Sequence, residues 1–220
     1  MDNLIKFSSR TPRYIGLDYL QSNGGEYINT NFIPDNKSKF VLDVQFTSTP
    51  SSSLYCNGIA GGMGGSNSRF LIAYENTSTN VNSWYFGISD SNIYKSDLGD
   101  TNRHTFFIDL LNGSYGVDST VWSKSGSSFY TTYPVILFAR YDSYIHNFSY
   151  QKLYSCQLYT NGVLSRDYIP TKRYSDDVLG LYDKVEDRFY ENAGTGAFIA
   201  GKENAKNNIY WWYLYYYLYF

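Results

Sequence analysis

Histidine and cysteine are almost missing from this chain, two of each in 220 residues, and neither type sits where chemistry would use it. His104 and His146 have no serine or cysteine with nucleophile-like surroundings near them, and no His/Cys spacing of a zinc site occurs. No cofactor or metal is therefore expected. Basic residues are few and scattered, 18 against 20 acidic ones with no dense Lys/Arg run, which excludes the electrostatic footprint of a nucleic-acid binder. No helical stripe lasts beyond two turns, and no apolar run reaches the about 20 residues that a transmembrane helix needs. The opening "MDNLIKFSSRTPRYIG" lacks the apolar stretch of a signal peptide, so a protein made in a cytoplasm and not exported by that route is expected. Of the two cysteines, Cys156 in "LYSCQLY" shares a strand face with Tyr154 and Leu158 and reads as a buried, inert thiol; pairing with Cys56 is the alternative.

What the chain has in abundance is aromatic surface, 25 Tyr and 14 Phe, set among Ser, Thr, Asn and Gly. That mixture favours strands and turns. "KFVLDVQFT" places Phe40, Leu42, Val44 and Phe46 on one face and Asp43, Gln45 and Thr47 on the other, the mark of a half-buried strand, with Val41 out of pattern. "RFLIAYE", "SWYFGIS", "HTFFIDLL", "YPVILFAR" and "YQKLYSCQLY" repeat the pattern at the spacing of an all-β fold. Asn112-Gly113 and Asn161-Gly162 supply the positive φ angles of tight hairpins. About a dozen short strands suffice for two stacked antiparallel sheets. The Gly-rich stretch at 58–68, "GIAGGMGGSNS", lacks the Lys-Ser/Thr of a phosphate loop and reads as a flexible hairpin or a close backbone approach.

Two longer stretches, "LDYLQSNGGEYINTNFIPDNKSKFVLDVQF" and "SCQLYTNGVLSRDYIP…GLYDKVEDRFYENAGTGAFIAG", resemble the opening and closing motifs of concanavalin A-like (laminin-G-like) jelly-roll domains. Such domains occur in tail, fibre and other structural proteins of bacteriophages and in surface proteins of gut bacteria. The resemblance runs from about residue 16 to 201. It implies a two-sheet jelly-roll sandwich over 17–201, which leaves an N-terminal arm over 1–16; the polar, charged stretch over 202–208 reads as a linker. The resemblance also implies a module that binds glycans or makes interactions, usually without catalysis. Glucanases in the same superfamily carry two glutamates flanking an aspartate at alternate positions of one strand, so that acid and nucleophile face the same sugar. No such arrangement exists here; "KVEDRFYE" and "YSDDV" have other spacings, so no enzyme is expected. In the closing motif Leu181, Tyr182, Phe189 and Tyr190 should pack, and Asp183, Lys184, Glu186 and Asp187 should form a solvated turn, with a calcium site on its carboxylates as the alternative. Arg166-Asp167 followed by Ile169-Pro170 should end a strand.

A non-enzymatic virion structural protein is the role this implies, with a bacterial surface adhesin module as the alternative. The candidate glycan-binding residues are Tyr141, Asp142, Tyr144, His146 and Asn147, in the loop "RYDSYIHNFSY" at 140–150, where rings stack on sugars and polar groups bond hydroxyls. The candidate partner-binding segment is 209–220, in which nine of twelve residues are aromatic: Tyr210, Trp211, Trp212, Tyr213, Tyr215, Tyr216, Tyr217, Tyr219 and Phe220. At about 150 to 250 Å² per ring it carries roughly 1,300 to 2,300 Å², at least the largest apolar patch a monomer usually tolerates. Docking to other virion proteins or to copies of itself would cover it; a final strand laid across its own sandwich is the alternative.

Overall fold

The computed structural model describes residues 11–49, 57–64, 68–124 and 128–210. β1 (Pro12–Gly16), β2 (Leu20–Gln21) and β3 (Ile28–Asn29) lead into β4 (Ser38–Phe46), whose alternation buries Phe40, Leu42, Val44 and Phe46 as its sequence predicts. A meander follows: β5 (Asn57–Gly62), β6 (Arg69–Glu75), β7 (Ser83–Ser89) and β8 (Ser91–Lys95). Next come β9 (Arg103–Asp109), β10 (Ser114–Val117) and β11 (Thr120–Ser123). Three short strands, β12 (Ile136–Leu137), β13 (Arg140–Asp142) and β14 (Tyr144–His146), precede the long pair β15 (Gln151–Thr160) and β16 (Val163–Arg173). The chain closes with β17 (Leu179–Asp183), β18 (Arg188–Glu191), β19 (Ile199–Ala200) and β20 (Ile209–Tyr210), with a 3-10 turn at Ala205–Asn207 before the last.

These strands make an all-β sandwich of jelly-roll type. The larger sheet runs β11-β10-β9-β4-β15-β16-β1-β20, with the β17–β18 hairpin on β16, and β2 pairing β15 and β19. The smaller runs β14-β13-β5-β6-β7-β8, with β12 on β5 and β3. Pairing is antiparallel except between β13 and β5, where Tyr141 meets Gly62. Aromatics fill the space between the sheets: Phe40 meets Phe70 edge-on at 4.4 Å, and Trp84 packs against Tyr74 and Phe106 at 4.8 and 4.9 Å. Each such ring stabilises the fold by about 1.5 to 3 kcal/mol through burial alone. Asn161 and Gly162 take φ of 52° and 79° and turn β15 into β16, as their identity predicts. Gly61, at φ 120°, is a close backbone approach: a Cβ there would stand 2.7 Å from Leu71 Cα.

Five expectations need correction. Residues 12–16 are not outside the core, because β1 pairs with β16 and β20 and buries Tyr14. Residues 202–208 are not a free linker: Glu203 bridges Leu17, Asn204 N–H donates to Gly16 O at 2.7 Å, and Gly16 N–H donates to Asn208 Oδ1 at 2.9 Å. The open edge of β1 would otherwise leave backbone groups unpaired, and the Asn amides satisfy them. β16 does not stop at Pro170 but pairs with β17 through Lys172. The acidic turn is only partly solvated: Asp183 is fully buried and accepts from the backbone N–H groups of Asp167 and Val185, each at 2.9 Å. "YPVILFAR" is not one strand but is divided between β12 at Ile136–Leu137 and the first residue of β13, Arg140, since Phe138 adopts φ 69° and turns the chain.

Candidate functional site

The 140–150 stretch is a hairpin on the outer edge of the smaller sheet. The chain reverses at Ser143, φ 64°, so Arg140 faces His146 and Asp142 faces Tyr144 across β13 and β14. Alternation therefore puts Asp142, Tyr144 and His146 on one face with Arg140. The Arg140 guanidinium holds Asp142 Oδ2 at 2.6 Å, and the exposed Tyr144 ring lies 4.5 Å from His146. Burial and the Arg140 charge push His146 below its ordinary value. Tyr141 is on the opposite face, 4.8 Å from Tyr133. Asn147 is a left-handed corner, φ 52°, whose carbonyl accepts from Gly58 N–H. The structure thus brings three of the five predicted residues together and places the other two elsewhere. Of the aromatic segment, Tyr210 lies in β20 at the edge of the larger sheet, partly exposed; residues 211–220 lie outside the described residues.

A larger constellation lies on the outer face of the larger sheet. Its cause is a β-bulge in β15: Leu153 pairs with Val44 but Ser155 pairs with Asp43, so Tyr154 is the extra residue. Leu153, Cys156 and Leu158 must all point inward, and three steps from 153 to 156 cannot do this in a regular strand. The bulge absorbs the mismatch and turns both Tyr154 and Ser155 outward. Tyr154 therefore does not share a face with Cys156, which is a free, fully buried thiol that burial holds in the protonated state.

Outward from the bulge, Arg103 on β9 clasps Asp43 on β4 with a two-pronged bridge, Nε to Oδ1 at 2.7 Å and Nη2 to Oδ2 at 2.6 Å. This fork is the strongest form of such a contact. The guanidinium carbon stands 3.7 Å from the centre of the Tyr154 ring, a cation–π contact that fixes both groups. Tyr154 Oη–H donates to Gln45 Oε1 at 2.9 Å, and Tyr19 meets the Tyr154 ring edge-on at 5.6 Å. Lys152 places its ammonium 4.6 Å from the Tyr19 centroid. The closing turn supplies the remaining wall, with Asn204 Nδ2 donating to Asp18 Oδ1 at 3.1 Å and Asn207 beside it. Together Asp18, Tyr19, Asp43, Arg103, Tyr154, Ser155, Asn204 and Asn207 line an open groove of about 490 Å³. Burial holds the Tyr154 phenol up, and Asp43 holds Arg103 up, so both keep their protons.

Such a groove can hold a polyhydroxylated ligand: aromatic walls fixed by packing, carboxylates and amides in reach, and a size in the range of small-ligand sites. Sequence reasoning missed it because its residues come from five separated segments. One local signal existed, the three-residue spacing of inward positions in "LYSC". No group of three or more His, Cys, Asp or Glu that could hold a metal occurs among the described residues. No described helix is long and apolar enough to cross a membrane. No family model matches the chain, and no curated protein matches it.

Proposed function

We propose that this chain is a non-enzymatic structural protein of a bacteriophage particle, in a fibre, tail or capsid decoration, and that its sandwich is a lectin-like module for glycans of the host surface. The observation that carries the lectin part is the groove over β4, β9 and β15, where Arg103, Asp43 and Tyr154 are locked to one another before any ligand arrives. Preorganised polar groups beside fixed rings spare a sugar the cost of ordering its own site. Asp43, the central carboxylate, is engaged by the Arg103 fork, an arrangement suited to binding rather than to acid–base work. The particle assignment rests on the resemblance of the opening and closing motifs. The aromatic segment from Tyr210 to Phe220 is its attachment device.

A glycan array probed with the full chain, beside a search for the chain in purified particles, tests this reading. Binding to host-surface glycans and residence in particles are expected. An empty array overturns the lectin role, and absence from particles overturns the structural one.

A further inference from the structure

We infer that the groove is built for neutral sugars presenting adjacent hydroxyls, and that it selects against sugars bearing a carboxylate. The inference rests on the lectin reading above and adds the ligand's chemical class.

Charge decides the class. Four charged side chains surround the groove or its tyrosines, Asp18, Asp43, Arg103 and Lys152, and they sum to zero. The Arg103 charge is already met by both oxygens of Asp43. A sialic or uronic acid would bring a carboxylate beside those of Asp18 and Asp43, and like charges brought together oppose binding when solvent is displaced. Hydrogen-bonding capacity points the same way. A guanidinium carries five N–H donors, of which Asp43 takes two, so three remain for hydroxyl oxygens. Asp18 bonds Asn204 through Oδ1, leaving Oδ2 to accept a hydroxyl proton. Donor and acceptor facing one groove suit a vicinal diol, in which each hydroxyl both gives and receives.

The bridge itself is the selectivity device. Changing Asp43→Asn keeps the shape of the side chain but removes its charge, leaving the guanidinium in place with an unmet positive charge. The variant should gain affinity for carboxylated sugars while losing some for neutral ones.

The experiment is titration of the full chain and its D43N and R103A variants against neutral gluco-, galacto- and manno-configured disaccharides and against their uronate- and sialate-bearing counterparts. The native chain should bind a neutral member at least about tenfold more tightly than its acidic counterpart, with little dependence on salt. R103A should lose roughly tenfold or more on the neutral ligand, and D43N should narrow or reverse the preference. Preference of the native chain for the acidic members, lost in R103A, would overturn the neutral-sugar inference and leave the lectin reading standing. Binding of no member, or binding that both variants leave untouched, would overturn the groove as a sugar site and the inference with it.

Discussion

His104 sits with a carboxylate at each ring nitrogen, Asp118 Oδ2 at 2.7 Å from Nδ1 and Asp100 Oδ1 at 2.8 Å from Nε2. It faces the core, edge-on to Trp84 at 5.6 Å. Burial alone would push the imidazole down, but the hydrogen bonds and charges of Asp118 and Asp100 outweigh it and hold the group above its ordinary 6.5. The sign follows from linkage: a folded value above the unfolded one contributes stability that is complete below pH 6.5 and fades as pH rises through the folded value. Denaturant midpoints should therefore fall as pH is raised from about 6 into the alkaline range, and H104Q should flatten that slope. A midpoint that climbs over the same range would refute the assignment. Trp84 gives the complementary residue-scale test. It is fully buried among Phe46, Tyr74 and Phe106, so W84A should cost about 3 to 5 kcal/mol in equilibrium unfolding.

At the scale of elements, the closing turn couples the fold to the groove. Gly16 allows β1 to touch the segment at 204–208, where a Cβ would stand 2.6 Å from the Asn207 carbonyl carbon and 2.7 Å from Asn204 O. G16A should displace that turn, cost about 1 to 3 kcal/mol, and weaken sugar binding by moving Asn204 and Asn207, with the strand signature of the circular dichroism spectrum kept. Unchanged affinity in a destabilised variant would detach the turn from the site. The strands themselves were largely legible: β4 shows its burial in the spacing of Phe40, Leu42, Val44 and Phe46, and Asn161-Gly162 marks its hairpin outright. The closing turn was not, because Asn204 and Asn208 look like linker residues until Gly16, 192 positions before Asn208, is seen to need their oxygens and amides. The edge hairpin at 140–146 looks like a loop in the sequence, since strands of three residues are too short to show a period. The groove escaped for a related reason: a bulge at Tyr154 reverses the face that simple alternation assigns.

At the scale of the whole molecule, the proposed function divides the chain into a sandwich that would hold sugar and an aromatic segment that would attach it. Removing residues 211–220 spares β20, the last described strand, and should leave a sandwich that unfolds at nearly the same temperature, binds the same sugars and no longer assembles with its partners. Sedimentation and thermal melting check this; a truncated chain that melts far lower places the segment in the core. The claim on which the rest depends is the location of the sugar site, on the larger sheet rather than on the 140–147 hairpin. Calorimetric titration of one array-identified glycan against Y154A, R103A and Y144A measures it directly. Loss of binding in the first two with retention in Y144A is predicted; retention in Y154A and R103A with loss in Y144A would contradict the account.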